Sequence, residues 1–230
     1  EDALPRERAR ILALLERSQT LADDAGLRPL AEQSDLLPAG HAMRERGVGT
    51  AVLSFLEDRT HAHAALVVEA QQCLEAHTLD PHLRPDEVHR GARQNLGRLV
   101  LWLASRTPAG PAGTRWQPAV ALARAYAEEG GYVEWARQQL RALRGADESV
   151  LAAARALEAA AAAALREDHH AFAEAYVSWV EAGKPSSAAT PIEDLGKQVI
   201  APFLKGGERR KLLVVLMDGM SQAAATQVLT

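Results

Sequence analysis

Over most of this chain the apolar positions recur at helical spacing. Pro5 suits a first helical turn, and Ile11, Leu14, Leu15 and then Ser18 keep to one face after it. Ala22-Asp23-Asp24-Ala25-Gly26 closes that helix, with Gly26 in the position just past the last turn. Leu27, Leu30, Leu36 and Leu37 form a short, broken helical region. Ser34 or Asp35 is placed to cap the next helix, and Pro38 fits its first turn. Gly47 and Gly49 interrupt the pattern, which resumes with Val48, Ala51, Val52, Phe55 and Leu56. A second run, Ala62, Leu66, Ala70, Cys73 and His77, with Val67 and Leu74 beside it, reads as continuing the same helix.

Residues 78–85 form a loop holding Asp80-Pro81 and Arg84-Pro85, and Asp86-Glu87 open the next helix with acidic side chains, as the helix dipole favours. Its buried stripe is Val88, Ala92, Leu96, Leu99, Val100 and Leu103. Residues 107–113, rich in Pro and Gly, are linker-like. A helix over 117–129 turns Ala119, Leu122, Ala123 and Tyr126 inward, Gly130-Gly131 is expected to break it, and Val133, Ala136, Leu140 and Leu143 mark another over 132–143. Asp147 caps the longest stretch, with Val150, Leu151, Ala154, Leu157, Ala161 and Leu165 on one face. A break is expected near residues 166–170, then an aromatic stripe of Phe172, Tyr176, Trp179 and Val180, and a stop at Gly183. Neighbouring pairs resemble helix-turn-helix repeats, but no fixed period near ~34 residues survives, which argues against a tetratricopeptide array. Pro191 opens a last helix to Val199 or Ile200, and Pro202 ends or kinks it.

The pattern then changes. Leu212-Leu213-Val214-Val215-Leu216-Met217 runs apolar without alternation, as a strand buried on both faces of a parallel sheet does. It stops at Asp218-Gly219, and carboxyl ends of such strands are where ligands and metals gather. Ser221 is placed to cap a helix over 222–229. The expected fold class is therefore mainly α: a multi-helix N-terminal domain over 1–207, then the first strand and helix start of an α/β domain over 208–230, with the boundary at Gly206-Gly207. That strand and helix lack neighbours, and the chain starts without Met, so the expectation is a piece of a longer protein.

Hydrophobic residues at 47% support a substantial core across 230 residues. A net charge of −4 gives no call for nucleic acid, so DNA stays open but unindicated, and 4% aromatics argue against a base-stacking platform. The single cysteine, Cys73, cannot pair internally, which fits a reducing cytoplasm, and no apolar run is long enough to span a membrane.

The segment Val214-Val215-Leu216-Met217-Asp218-Gly219-Met220-Ser221 resembles the opening strand and first metal-ligand motif of the alkaline phosphatase superfamily. With the lead-in Pro191-Ile192-Glu193-Asp194 through Val199-Ile200-Ala201-Pro202-Phe203, it is similar to the PglZ component of bacteriophage-exclusion (phage growth limitation) systems, in which a long variable N-terminal region precedes the phosphatase-like domain. The resemblance implies a parent that is a metal-dependent phosphatase or phosphodiesterase in bacterial antiphage defence. It implies Asp218 as an early ligand of a two-metal centre, with zinc or manganese the expected cations in the full-length parent and none in this stretch alone. It implies other bacteriophage-exclusion proteins, and the parent's own C-terminal phosphatase domain, as partners. The superfamily's nucleophile normally lies further downstream, so no catalytic residue is expected here and Ser221 is read as a helix cap.

Other candidates have plainer readings. Gly47-x-Gly49 has no strand before it and no third glycine, so it is no phosphate loop. Cys73 sits on the apolar stripe and reads as a small core residue. His61 and His63 point apart on a helix, His77 and His82 flank a proline loop, and His169 and His170 are adjacent, so no histidine metal site is expected before residue 208. Glu208-Arg209-Arg210-Lys211 reads as a solvated charge run, and the Phe172, Tyr176 and Trp179 stripe as core.

Two functions fit these residues: a protein-interaction or scaffolding region of a PglZ-type metallophosphoesterase, or a free-standing helical adaptor without catalysis. A lone apolar strand without sheet partners is not stable. Backbone amides over residues 212–217 are accordingly expected to exchange rapidly in a dilute monomer, as measured by hydrogen–deuterium exchange. Strong protection there would overturn that expectation.

Overall fold

A computed structural model describes residues 3–79, 87–106, 119–141, 143–144, 146–183, 190–206, 211–214, 221–222 and 224–225. The described residues are mainly helical and include no strand. In order they form α1 (Ala3–Asp24), α2 (Arg28–Ala31), α3 (Pro38–Glu57), α4 (His61–Glu75), α5 (Glu87–Ser105) and α6 (Ala119–Ala125). A π turn (Tyr126–Gly130) leads into α7 (Gly131–Arg141), followed by the long α8 (Glu148–Glu181). A 3-10 turn (Ile192–Asp194), a second π turn (Gly196–Ile200) and α9 (Ala201–Lys205) complete the set. Two compact units divide the chain: Glu1–Ala109 with Val133–Ala164, and Gly110–Tyr132 with Leu165–Thr230.

The first unit holds the main core. α3 packs on α4, and α4 on α5. Val48, Val52 and Phe55 of α3, Val67 and Leu74 of α4, and Leu96, Leu99, Val100 and Leu103 of α5 are buried. So are Val133, Ala136 and Leu140 of α7 and Val150, Leu157 and Ala161 of α8. Each set recurs at intervals of one or two helical turns, so each helix turns one stripe inward. Full burial of one large aliphatic or aromatic side chain contributes about 1.5–3 kcal/mol, which makes these stripes the main stabilising term. Caps fix the helix ends. Gly26 has φ of 69° and donates to the Asp23 carbonyl while Leu27 donates to that of Ala22, closing α1 as its sequence predicts. Asp147 Oδ1 accepts from Ser149 N–H at 2.9 Å and opens α8.

Several sequence-based expectations are corrected. Gly47 and Gly49 do not interrupt α3 but lie inside it. Gly49 is a point of close approach: a Cβ there would stand 2.7 Å from the backbone carbon of Ser149. α4 does not continue α3. The chain turns at Asp58, and Thr60 caps the new helix by accepting from His63 N–H at 3.2 Å. Its buried stripe is Ala64, Val67 and Leu74, whereas Leu66 is 53% exposed and Cys73 is exposed, so Cys73 is not a core residue. Ile11 and Leu14, on the shared face of α1, are exposed. α8 runs unbroken through residues 166–170.

In the second unit Gly130-Gly131 does not break the helical path. The backbone widens into the π turn before Gly131 and continues as α7. The second π turn stands just ahead of Pro202, near the start of α9. Proline lacks an N–H and crowds the carbonyl one turn back, and a widened turn accommodates both. Gly183, with φ of 78°, ends α8. The rings of Phe172, Tyr176 and Trp179 follow one another at 5.7 Å between centroids, but Tyr176 is 41% exposed, so the stripe is not core. Residues 211–214 have no regular structure, and Leu213 is 86% exposed, so the enclosed strand is not seen at its described positions. Residues 215–220 lie outside the described residues.

The two glycines of α3 give opposite expectations. Gly49→Ala forces a methyl group against the Ser149 backbone and is expected to cost about 1–3 kcal/mol. Gly47→Ala meets open space and is expected to stabilise by about 0.5–1 kcal/mol through helix propensity. Urea midpoints of the two variants measure this, and shifts in the same direction would refute the close approach.

Candidate functional site

Asp218, the expected metal ligand, lies outside the described residues, as do Gly219 and Met220. Ser221 is described. Its Oγ accepts from Ala224 N–H at 3.2 Å and its carbonyl from Ala225 N–H at 2.9 Å, the geometry of a helix cap. His63 Nδ1 lies 2.9 Å from Thr60 Oγ1 and 3.4 Å from Asp58, at the start of α4. His169 meets the Tyr126 ring edge-on at 5.6 Å. Among the described residues no three His, Cys, Asp or Glu side chains come together to hold a metal ion, and no helix is long and apolar enough to cross a membrane.

The structure assembles a buried polar cluster that sequence spacing did not reveal, where the turn before α3 meets the end of α4. Ser34 Oγ accepts from the N–H groups of Leu36 and Leu37, each at 3.1 Å. The Ser34 carbonyl accepts from Arg44 Nη1 at 2.9 Å and faces His77 Nε2 at 3.1 Å. Arg44 Nη2 pairs with the Asp35 carboxylate. His77 Nδ1 accepts from Leu79 N–H at 3.1 Å, and Thr78 N–H donates to the Asp35 carbonyl at 3.2 Å. His41, from the first turns of α3, sets its ring edge-on to His77 at 5.5 Å. Both rings are buried, His77 to 1% exposure and His41 to 3%. Burial, and then the nearby Arg44 and His41, hold the His77 pKa below the ordinary histidine value. The Ser34 carbonyl and Asp35 oppose that shift.

A second cluster joins α3 to the start of α8. Buried Glu45 accepts from Asp147 N–H at 3.3 Å, and Asp147 Oδ1 accepts from Ser149 Oγ at 2.6 Å. That hydroxyl bond lowers the Asp147 pKa. Arg46 reaches Asp147 at 3.9 Å and Glu32 at 3.6 Å. Beside it, Met43, Gly47, Thr50, Ala51, Ser54, His63 and Leu66 line an open, mostly apolar groove of about 600 Å³ along α3 and α4, with Arg46 at its edge. A third polar knot ties α7 to α8. Glu158 Oε1 accepts from Arg137 Nη2 at 2.7 Å and from Arg141 Nη2 at 2.6 Å. In all three clusters the charged groups bond to helix ends, to turns or across adjacent helices, so their chemistry is that of joints.

No protein-family model matches this chain, and no curated protein and no solved structure matches it either.

Glu158 carries the sharpest stability expectation. Burial alone would raise its pKa, but the hydrogen bonds from Arg137 and Arg141 outweigh burial and leave it below the ordinary glutamate value. A lowered carboxyl contributes stability that is full above its unfolded pKa and is lost as pH falls through the folded one. Glu158→Gln is expected to cost about 1–3 kcal/mol at neutral pH, mostly through the half-buried Arg137, and to flatten the acid limb of the stability profile. Urea unfolding at pH 7 and pH 3 tests this, and parallel profiles for the two proteins would refute it.

Proposed function

We propose that this chain is the helical region of a metal-dependent phosphatase or phosphodiesterase of the PglZ type, serving bacterial antiphage defence as an interaction or scaffolding domain. The observation that carries the proposal is the apolar run ending in Met217-Asp218-Gly219-Met220, set directly after a region whose described residues are mainly helical. In this proposal Asp218 supplies one hard oxygen ligand to a pair of zinc or manganese ions, and the two cations clamp the attacking and leaving oxygens of a phosphate ester. The helical part docks on other bacteriophage-exclusion proteins or on the phosphatase-like domain, in the cytoplasm. Exposed apolar side chains fit that role: Ile192, Leu195, Val199 and Phe203 follow one another on a single stripe and stay 37–77% exposed. The groove along α3 and α4 favours a second function, a helical adaptor without catalysis.

The natural gene product that carries this sequence decides between them when assayed with a chromogenic phosphodiester and added zinc or manganese. Metal-dependent turnover is expected, with a loss in Asp218→Ala beyond the roughly 10–100-fold that removal of an outer-shell partner costs. Turnover indifferent to Asp218 or to metal overturns the phosphoesterase assignment, and no turnover favours the adaptor.

A further inference from the structure

The His77 ring is held so that both of its nitrogens are committed. Leu79 N–H can only donate, so Nδ1 must present a lone pair to it, at 3.1 Å. The Ser34 carbonyl can only accept, so Nε2 must carry the proton, at 3.1 Å. The neighbours therefore select one neutral tautomer. A second proton has one place to go, Nδ1, where it would confront the Leu79 N–H. With the ring 1% exposed, no solvent stands by to take over that bond.

We propose that His77 is an acid-released clasp: a protonated ring cannot keep the Leu79 bond, so acid favours an open state in which the segment after α4 is freed from the turn that precedes α3. The same segment is also seated by the Leu79 side chain, which is 1% exposed. Thr78 N–H donates to the Asp35 carbonyl at 3.2 Å, and the Ser34 carbonyl is shared between His77 and Arg44. The charged and titratable groups facing the ring are Arg44 and His41 from α3 and Asp35 from the turn before it. Arg44 is already paired with Asp35, so that carboxylate is engaged before an imidazolium could draw on it. The buried position and the Arg44 guanidinium both disfavour a cationic ring, so the proton is accepted only when the site opens. The clasp is independent of the phosphoesterase proposal, because none of its residues belongs to the Asp218 motif.

Linkage fixes the direction. The open state holds an ordinary histidine, with a pKa of about 6.5, and the closed state a lowered one. Closure is therefore fully favoured above that value and weakens as pH falls towards the closed-state pKa. Hydrogen exchange at the Leu79 amide, corrected for the intrinsic pH dependence of exchange, reads the open fraction directly. Between pH 7.5 and pH 5.5 its protection is expected to fall several-fold, up to a limit of about 10-fold. His77→Asn places an amide oxygen near where Nδ1 stood and cannot titrate. It is expected to be less protected at pH 7.5, through loss of the Ser34 bond, but to show no further fall. In the unmodified protein, the His77 ring signal followed by NMR is expected to titrate below the ordinary histidine range. A His77 ring titrating at or above that range overturns the clasp. So does protection in the unmodified protein that does not change with pH, or a fall that persists undiminished in His77→Asn.

Discussion

The first unit depends on how closely α3 can approach the elements on either side of it. Along one stripe α3 buries Val48, Val52 and Phe55, and at Gly49 it comes so near the start of α8 that no Cβ fits. That contact places two helix ends beside polar side chains of α3. The start of α8 brings N–H groups that have no partner within the helix. Buried Glu45 takes the Asp147 N–H, and Asp147 in turn caps Ser149. One residue before Glu45, Arg44, together with His41, meets the Ser34 turn and His77. The buried charges of this unit are thus consequences of close helix packing. Once apolar stripes bring helix ends inside, something polar must satisfy them.

How far the sequence could be read depends on the same logic. The stripes of α7 and the first half of α8 were legible because their inward positions are almost wholly apolar, and that of α5 because Leu96, Leu99, Val100 and Leu103 keep the period although Arg93 and Asn95 are buried as well. The ends at Gly26, Gly183 and Asp147 were legible because their residue types answer a backbone need that is local. The phase of α4 was not, because its buried face runs through a polar residue. Gln71 sits between Val67 and Leu74 and donates to the Arg93 carbonyl at 2.6 Å. A side chain that leaves the apolar pattern to bond a neighbouring helix breaks the periodicity that marks the buried face. Gly47 and Gly49 misled for a related reason: alone, glycine signals a break, and only the position of Ser149 shows that one of them is a contact.

The polar clusters were hidden by distance along the chain rather than by ambiguous chemistry. His41 and His77 belong to different helical segments, and a search for ligand spacing within one helix passes over them. Their surroundings also explain why two adjacent imidazoles make a joint instead of a metal site. Both nitrogens of His77 are spent on backbone groups, and the nearest carboxylate, Asp35, is taken by Arg44. The chemistry expected at Asp218 had the opposite character. It was read from a local motif, and that position lies outside the described residues.

The second unit poses the converse problem. Its described residues bury little beyond Ala119, Gly130, Gly131 and Leu165, while Ile192, Val199, Phe203 and Val177 keep 42–77% exposure. A five-residue helix such as α9, entered through a widened turn at Pro202, has little stability of its own, because short helices rely on an apolar face being packed. The stripe Ile192, Leu195, Val199 and Phe203 has the spacing of such a face and keeps 37–77% exposure. The proposed phosphatase-like domain supplies a cover of the right kind, since sheets of that class carry helices on both faces. In that arrangement the exposed stripe and the apolar run before Asp218 answer each other, one needing a layer beneath it and the other needing a layer above.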